Sequence, residues 1–331
     1  MPKLFLGKKY ISMKFYLKLI RWPNLLIIIF TMLAIRYGVI YPFLKLYQFE
    51  FVLSNLNFGI LVLATVFIGA GGYVINDYFD RRIDMTNKPG EVVVGTHIER
   101  RKVMSLHNIL TGIGLALGFF LSYNIDQGSF AFVFIIISGA LWFYSTLYKR
   151  QLLVGNILIA LLTALVPLLV VLYDVPGVLK QYQVILVQNP IYYEEMKYMM
   201  YAAVMFSGFA FLTTFVREII KDIQDMEGDR DCGRNTLPIA WGIPVAKGVS
   251  VFLIIATIFS LLFIYYIFLQ GNTISLIYLL VALIAPLLSL IMFILKANSP
   301  KDYKFSSQFL KVIMLLGLLY VVPFYFTISH V

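Results

Sequence analysis

Two short acidic stretches each follow directly on a long apolar run. The first contains Asp77, Asp80 and Asp84, spaced three and then four residues apart. The second begins near residue 218 and contains these acidic residues: Glu218, Asp222, Asp225, Glu227, Asp229 and Asp231. Helical residues three and four apart lie on one face. If each stretch continues the preceding helix, each therefore presents a row of three carboxylates.

Such rows of carboxylates predict a cation site. Like charges at this spacing repel each other, so something positive is expected among them. Neither stretch contains histidine or cysteine, and an all-oxygen ligand set suits Mg²⁺. Because Mg²⁺ usually binds one or two carboxylates together with substrate phosphates, we predict a seat for metal-bridged diphosphate. Its predicted metal ligands are Asp77, Asp80, Asp84, Asp222, Asp225 and Asp229.

Basic residues are interleaved with these acids. Guanidinium and ammonium groups bind phosphoryl oxygens that a metal leaves free. The cations that we expect near a diphosphate on this ground are Arg81, Arg82, Lys88, Arg217, Lys221, Arg230 and Arg234. For each of them the alternative is the ordinary excess of positive charge on the cytoplasmic side of a membrane protein.

The composition is that of a polytopic membrane protein. Of 331 residues, 60% are hydrophobic and 13% charged, and the apolar runs exceed the roughly 18 to 20 residues that span a bilayer. We predict an all-α fold with nine spans, at about 22–43, 57–79, 103–124, 129–147, 152–173, 198–220, 246–270, 273–296 and 307–328. The net charge of +10 is expected to meet anionic headgroups of the bilayer rather than nucleic acid.

The positions of the basic residues predict the orientation. Of 27 lysines and arginines, only Arg36, Lys45, Lys180 and Lys197 fall on the side opposite the N-terminus. The N-terminus is therefore predicted to be cytoplasmic and the C-terminus external, in the inner membrane. Arg36 is expected to reach the nearby far interface.

The second acidic stretch follows the sixth span as the first follows the second span. We therefore expect an internal repeat. Residues 1–331 are predicted to form one membrane domain, with a basic cytoplasmic segment at 1–21, four-helix halves at 22–147 and 152–296, and a ninth helix at 307–328.

A lipid diphosphate would explain why an acidic site is joined to nine spans. Its head would bind metal at the cytoplasmic face while its chain lies among the helices. The chemistry that suits this arrangement is loss of diphosphate from an allylic carbon, followed by capture of the carbon by an acceptor away from water.

At these residues the sequence resembles the UbiA-type intramembrane prenyltransferases. The signature N-D-x-x-D-x-x-x-D is matched by Asn76, Asp77, Asp80 and Asp84, and K-D-x-x-D-x-x-G-D by Lys221, Asp222, Asp225, Gly228 and Asp229. The likeness extends to LIRWPNLL in the first span and YSTLYKRQLLVGN after the fourth. Within the superfamily the chain is most similar to the branch of geranylgeranylglycerol-phosphate geranylgeranyltransferases.

The resemblance implies a helical bundle around a central cavity, a prenyl diphosphate donor, a lipophilic acceptor and two Mg²⁺ ions. It implies that Asn76 joins the first metal–diphosphate group and that Arg217 and Lys221 hold the diphosphate. It further implies that Tyr144, Ser145 and Lys149 approach the diphosphate or the reacting carbon, and that Arg21 and Asn24 lie on the acceptor side. The residues that we expect to carry the reaction are Asp77, Asp80, Lys221, Asp225 and Tyr144.

The acceptor stays open at this point. Many relatives continue N-K-P-x-R-P-L-P-S-G after the first motif, whereas residues 87–95 read NKPGEVVVG. The leading hypothesis is transfer of a C20-class prenyl group to geranylgeranylglyceryl phosphate in ether-lipid synthesis. The alternatives are prenylation of 4-hydroxybenzoate or dihydroxynaphthoate in quinone synthesis and, from another class, a cation or lipid transporter.

Overall fold

Long apolar helices make up most of the chain. The computed structural model describes residues 13–329, apart from the side chain of Glu195. Lys3, Lys8 and Lys9 of the predicted basic N-terminal segment lie outside the described residues. A short helix occupies residues 13–19.

Within the described range, nine helical segments are long and apolar enough to cross a membrane, as predicted. They are α1 (Trp22–Leu46), α2 (Asn55–Asn87), α3 (Arg100–Asn124), α4 (Gly128–Thr146), α5 (Val154–Gln181), α6 (Pro190–Gln224), α7 (Ile243–Phe268), α8 (Thr273–Lys296) and α9 (Pro300–Ile328). The all-α, nine-span prediction is confirmed, and the protein is an integral membrane protein. The two four-helix halves and the central cavity stay predictions.

By its internal contacts the chain divides into two units. The first comprises Met1–Phe30, Ser54–Gln151 and Glu227–Arg234, and the second comprises Thr31–Leu53, Leu152–Met226 and Asn235–Val331. In the first unit α2 packs against α3 and α4, and in the second α6 packs against α5, α7 and α9.

Close packing of α2 on α3 depends on small residues. A Cβ on Gly114 of α3 would lie 3.0 Å from the carbonyl oxygen of Ala64 and from the amide nitrogen of Ile68. Only glycine therefore allows the two backbones to approach so closely. Nearby, the buried imidazole of His107 lies 2.9 Å from the carbonyl oxygen of Gly71, a contact that ties α3 to α2 below the acidic motif.

The connection after α2, where the sequence departs from the motif that it otherwise resembles, is packed inside the first unit. Val93, Val94 and Ile98 are buried in a cluster with Leu19 of the N-terminal helix. The guanidinium of Arg81 donates from Nε to the carbonyl oxygen of Val94 at 3.1 Å. Arg81, which the sequence suggested for a phosphoryl group, is thus bound to the backbone of this connection.

The second unit contains a buried ion pair in its membrane helices. Arg36 of α1 and Asp174 of α5 are both fully buried, with Nε 3.5 Å from Oδ2. Nη2 of Arg36 also donates to the carbonyl oxygen of Leu53, and its guanidinium carbon lies 4.3 Å from the centroid of the Phe51 ring. Contrary to the prediction, Arg36 does not extend to solvent at the far interface, because its side chain is fully buried against these partners. A π-helical turn at Ile35–Ile40 carries this arginine.

Candidate active site

The first acidic motif lies on one unbroken helix, as predicted. Asp77, Asp80 and Asp84 occupy the last turns of α2. No glycine or proline occurs from Tyr73 to Asn87, so nothing interrupts the helix where its composition turns polar. The helix ends at Asn87, two residues before Pro89. The three carboxylates therefore lie on one helical face.

Asp77 forms an ion pair with Arg21. Nη2 of Arg21 lies 2.6 Å from Oδ1 of Asp77, and the guanidinium carbon lies 5.2 Å from the centroid of the Tyr73 ring. The negative charge of Asp77 raises the pKa of Arg21 above its ordinary value. Arg21 has a positive φ of 52°, a left-handed conformation that side-chain-bearing residues rarely adopt. Arg21, predicted on the acceptor side, thus contacts the first acidic motif directly.

Both carboxylate oxygens of Asp80 accept hydrogen bonds from cations. Nζ of Lys149 donates to Oδ2 and Nη2 of Arg234 donates to Oδ1. The amide of Asn76 connects this group, since its Nδ2 donates to Oδ2 of Asp80 at 2.9 Å and its Oδ1 accepts from Lys149 at 2.9 Å. The structure therefore brings together three predicted site residues, Asn76, Asp80 and Lys149.

Arg234 joins the two acidic motifs within the first unit. Its Nη1 donates to Oδ1 of Asp229 at 3.0 Å while its Nη2 binds Asp80. Burial alone lowers the pKa of Arg234, but the charges of Asp80 and Asp229 outweigh it, so the pKa is raised. One buried guanidinium thus holds a carboxylate from each motif.

A helix end positions this arginine. The short helix Met226–Asp231 is followed by Gly233, which has a φ of +68°. The amide of Gly233 donates to Arg230 O at 3.0 Å and that of Arg234 to Asp229 O at 2.9 Å, the paired bonds of a Schellman motif. The reversal at Gly233 brings the side chain of Arg234 back to Asp229.

The second acidic motif is not one continuous helix, and that expectation is wrong. Helix α6 ends at Gln224, Asp225 caps it, and Asp229 belongs to the separate short helix. Gly228 in that helix donates its amide proton to Oδ1 of Asn87 at 2.9 Å. A Cβ on Gly228 would lie 2.7 Å from the side chain of Asn87. These contacts fix the short helix on the first unit, so Asp229 does not continue the row of Asp222 and Asp225.

In the second unit, the two cations predicted to hold diphosphate both contact Glu218. Oε1 of Glu218 lies 3.1 Å from Nη1 of Arg217 and 2.9 Å from Nζ of Lys221. On the same helix, Oδ2 of Asp222 accepts from Nδ2 of Asn156 at 2.7 Å. Glu218 thus holds Arg217 and Lys221 close together on α6.

Two further predicted residues, Tyr144 and Ser145, belong to α4. Tyr144 is buried, and the centroid of its ring lies 5.7 Å from Nζ of Lys149. The hydroxyl of Ser145 donates to the carbonyl oxygen of Leu141 at 3.0 Å. Tyr144 therefore belongs to the surroundings of Asp80, while Ser145 is bound to its own helix.

The remaining predicted residues lie at the end of α2 or in the first turn of α1. Asp84 is half-buried in the last turns of α2, and Arg82 is exposed on the same helix. Lys88 is half-buried and caps α2. The backbone amide of Asn24 donates to the carbonyl oxygen of Arg21 at 2.8 Å, so Asn24 supports the turn that carries Arg21.

The acidic side chains fit a hard cation by their chemistry. Among residues 13–329, no three histidine, cysteine, aspartate or glutamate side chains are grouped so that they could hold a metal ion. Asp77 and Asp80 instead contact guanidinium and ammonium groups. The available ligands at this motif are carboxylate and amide oxygens. Such a set suits Mg²⁺ bound by one or two carboxylates together with ligands from a substrate.

Sequence reasoning missed several roles. It treated Arg234 as one of several flanking cations, and it assigned no role to Glu218 or Asn156. All three lie within or beside the motifs that carry the family resemblance. A glycine two residues after a short helix, followed directly by arginine, was the available signal for Arg234.

The chain is similar to known prenyltransferases over most of its length. The model of the UbiA prenyltransferase family matches residues 46–313. The digeranylgeranylglyceryl phosphate synthase of Methanosphaera stadtmanae is 32% identical over 244 residues, which are 73% of this chain and 75% of that protein. The enzyme of the same name from Methanobrevibacter smithii is 29% identical over 271 residues, 81% of this chain and 87% of that protein.

Solved structures share the fold. One, from work on digeranylgeranylglyceryl phosphate synthase in membranes, has a TM-score of 0.59 and 25% identity, and the match covers 97% of this chain and 99% of that one. A UbiA homologue from Archaeoglobus fulgidus bound to DMAPP and Mg²⁺ has a TM-score of 0.52 and 15% identity over 96% of this chain and 99% of that one. The chain therefore belongs to the UbiA prenyltransferase family and is a membrane-embedded prenyltransferase.

Proposed function

We propose that the protein transfers a geranylgeranyl group from its diphosphate to geranylgeranylglyceryl phosphate in ether-lipid synthesis. The observation that carries the proposal is the contact of Arg234 with both Asp80 and Asp229, since it unites residues of both acidic motifs in one group. The two archaeal relatives that bear the name of this synthase support the choice of acceptor.

The donor diphosphate binds, in this proposal, through two Mg²⁺ ions and the cations of the site. The proposed metal ligands are Asp77, Asp80, Asp84, Asp222, Asp225 and Asp229. When bound, Mg²⁺ supplies positive charge for the diphosphate as it departs. Lys149, Arg217 and Lys221 hold phosphoryl oxygens, with Arg82 and Lys88 as further candidates.

The residues of the chain hold and orient the reactants. Asn76 fixes the direction of both Asp80 and Lys149, and the ring of Tyr144 lies against the ammonium. The allylic carbon–oxygen bond breaks, and its electron pair leaves with the diphosphate. The acceptor hydroxyl oxygen then forms the new carbon–oxygen bond, and its proton passes to the anionic diphosphate that has left. Arg21 and Asn24 lie on the acceptor side, and the apolar helices exclude water from the reacting carbon.

We also propose a cytoplasmic N-terminus, an external C-terminus and a site that opens to the cytoplasm. The distribution of lysine and arginine supports this orientation. The division into two four-helix halves and a ninth helix belongs to the same proposal, because the acidic motifs follow the second and sixth spans.

A competition assay tests the acceptor. Purified protein with Mg²⁺ and geranylgeranyl diphosphate would receive geranylgeranylglyceryl phosphate, 4-hydroxybenzoate and dihydroxynaphthoate together. We expect the glyceryl phosphate product, and exclusive prenylation of an aromatic would overturn the proposal.

A second assay tests catalysis against transport. Release of diphosphate should require Mg²⁺ and be lost in Asp80→Asn and Asp225→Asn, while the exposed Arg101→Met variant retains it. Movement of lipid or cation across vesicles without turnover would instead support the transporter alternative.

A further inference from the structure

We propose that Lys149 is a resident counter-ion that competes with the divalent metal for Oδ2 of Asp80 and moves to the diphosphate when the metal binds. The inference rests on the proposed function. In the proposed function Lys149 only contacts the diphosphate. Here its ammonium first neutralises Asp80 and binds the diphosphate only after the metal has taken its place on that carboxylate.

The contacts of Asp80 carry the first step. Its side chain is only 8% exposed, and it accepts from three donors: Lys149 and Asn76 on Oδ2 and Arg234 on Oδ1. A buried carboxylate with this many donors is well compensated in charge. Oδ2 already accepts two hydrogen bonds, so a divalent ion that binds this oxygen displaces one of the two donors. The ammonium of Lys149 repels the ion, whereas the neutral amide of Asn76 does not.

The structure indicates which cation leaves. Arg234 binds two carboxylates through a planar fork, is 8% exposed and is fixed by the helix end at Gly233. Lys149 binds one carboxylate, is 21% exposed and lies in the short turn Tyr148–Arg150. A lysine ammonium on a flexible stem also reorients more easily than a guanidinium held at two points.

Asn76 can remain hydrogen-bonded to Lys149 during this movement. Its Oδ1 accepts from Lys149 independently of Asp80, so the ammonium keeps one partner when it leaves the carboxylate. The freed ammonium would have two donor protons available for phosphoryl oxygens. Metal binding at Asp80 would thus prepare Lys149 for the diphosphate.

Metal affinity without any prenyl diphosphate tests the inference. Mn²⁺, which prefers similar oxygen ligands, would be titrated into the purified full chain, and free Mn²⁺ would be measured by electron paramagnetic resonance. We expect Lys149→Met to bind Mn²⁺ about tenfold more tightly than the wild type. Asp80→Asn should lose the tight binding in the same titration.

Arg150→Met is the matched control. It removes one positive charge from the adjacent, exposed residue, so it measures any general electrostatic gain and should change the affinity less than about twofold. Lys149→Gln is a second variant that keeps hydrogen-bonding capacity without charge, and it should also bind Mn²⁺ more tightly. Unchanged or weaker Mn²⁺ binding in the folded Lys149 variants, or an equal gain in Arg150→Met, would overturn the inference.

The companion measurement is diphosphate binding. At saturating Mg²⁺, Lys149→Met should bind geranylgeranyl diphosphate at least about tenfold more weakly, although it binds metal more tightly. Unchanged diphosphate affinity would also contradict the inference. The Mn²⁺ titration involves no acceptor, so a wrong acceptor in the proposed function would leave its outcome intact.

Discussion

Arg234→Met removes the guanidinium that contacts Asp80 and Asp229. The guanidinium is 8% exposed, as is the Asp80 side chain, and Asp229 is 3% exposed. Removal of one partner from a buried ion pair costs about 3–5 kcal/mol, because a charge is left uncompensated. Asp80 keeps Lys149 and Asn76 in this variant. We therefore expect the lower end of this range, about 3 kcal/mol of unfolding free energy.

The measurement is reversible unfolding in mixed micelles, followed by circular dichroism. A double-mutant cycle with Asp229→Asn isolates the pair, and we expect a coupling of about 1–3 kcal/mol. The unfolding free energy of Arg234→Lys should lie between those of the wild type and Arg234→Met, since one ammonium group cannot contact two carboxylates as the planar guanidinium does. Arg101→Met, which removes an exposed arginine, should change stability by less than about 0.5 kcal/mol.

Two results would refute the reasoning. If Arg234→Met lies within about 0.5 kcal/mol of the wild type, the guanidinium does not compensate the carboxylates as described. If the cycle shows no coupling while Arg234→Met is strongly destabilised, the loss comes from packing of the arginine stem and not from its charge.

Further predictions concern Gly114 and Gly233, with Gly112 as a control. Gly114→Ala should cost about 1–3 kcal/mol in the same unfolding assay, because the added methyl group meets the backbone of α2. Gly112→Ala, where a Cβ meets nothing within 4 Å, should shift stability by less than about 1 kcal/mol; an equal loss in both variants would contradict the packing argument. Gly233→Ala should cost about 1–2 kcal/mol through its positive φ alone, since there is space for the methyl group. It should also weaken the measured coupling of Arg234 to Asp229, and an unchanged coupling would show that the helix end does not position the arginine.

Much of the fold could be predicted because it depends on local composition. Apolar runs longer than a bilayer is thick predict membrane helices, and the nine helices agree with that count within the described residues. The row of Asp77, Asp80 and Asp84 could be predicted because α2 contains no residue that interrupts a helix there.

The partners of those aspartates could not be predicted. Lys149 and Arg234 lie 69 and 154 residues from Asp80 in the sequence. Helical periodicity relates residues within one helix and cannot predict contacts over such separations. The break at Asp225 was also hidden, since it accompanies a contact between Gly228 and Asn87, 141 residues apart. Spacing thus predicts a row of candidate metal ligands, whereas the cations that contact those ligands depend on tertiary structure.

The ion pair of Arg36 and Asp174 has a consequence for biogenesis. A ribosome delivers Arg36 with the first membrane helix, long before Asp174 arrives with the fifth. Insertion of an arginine near the middle of a helix costs about 3 kcal/mol. The six residues Leu25–Phe30 in the same helix, LLIIIF, contribute roughly 0.3–0.6 kcal/mol each and so offset that cost. The first helix can therefore enter the bilayer alone and await its partner, so the closure of this pair is a late step of assembly.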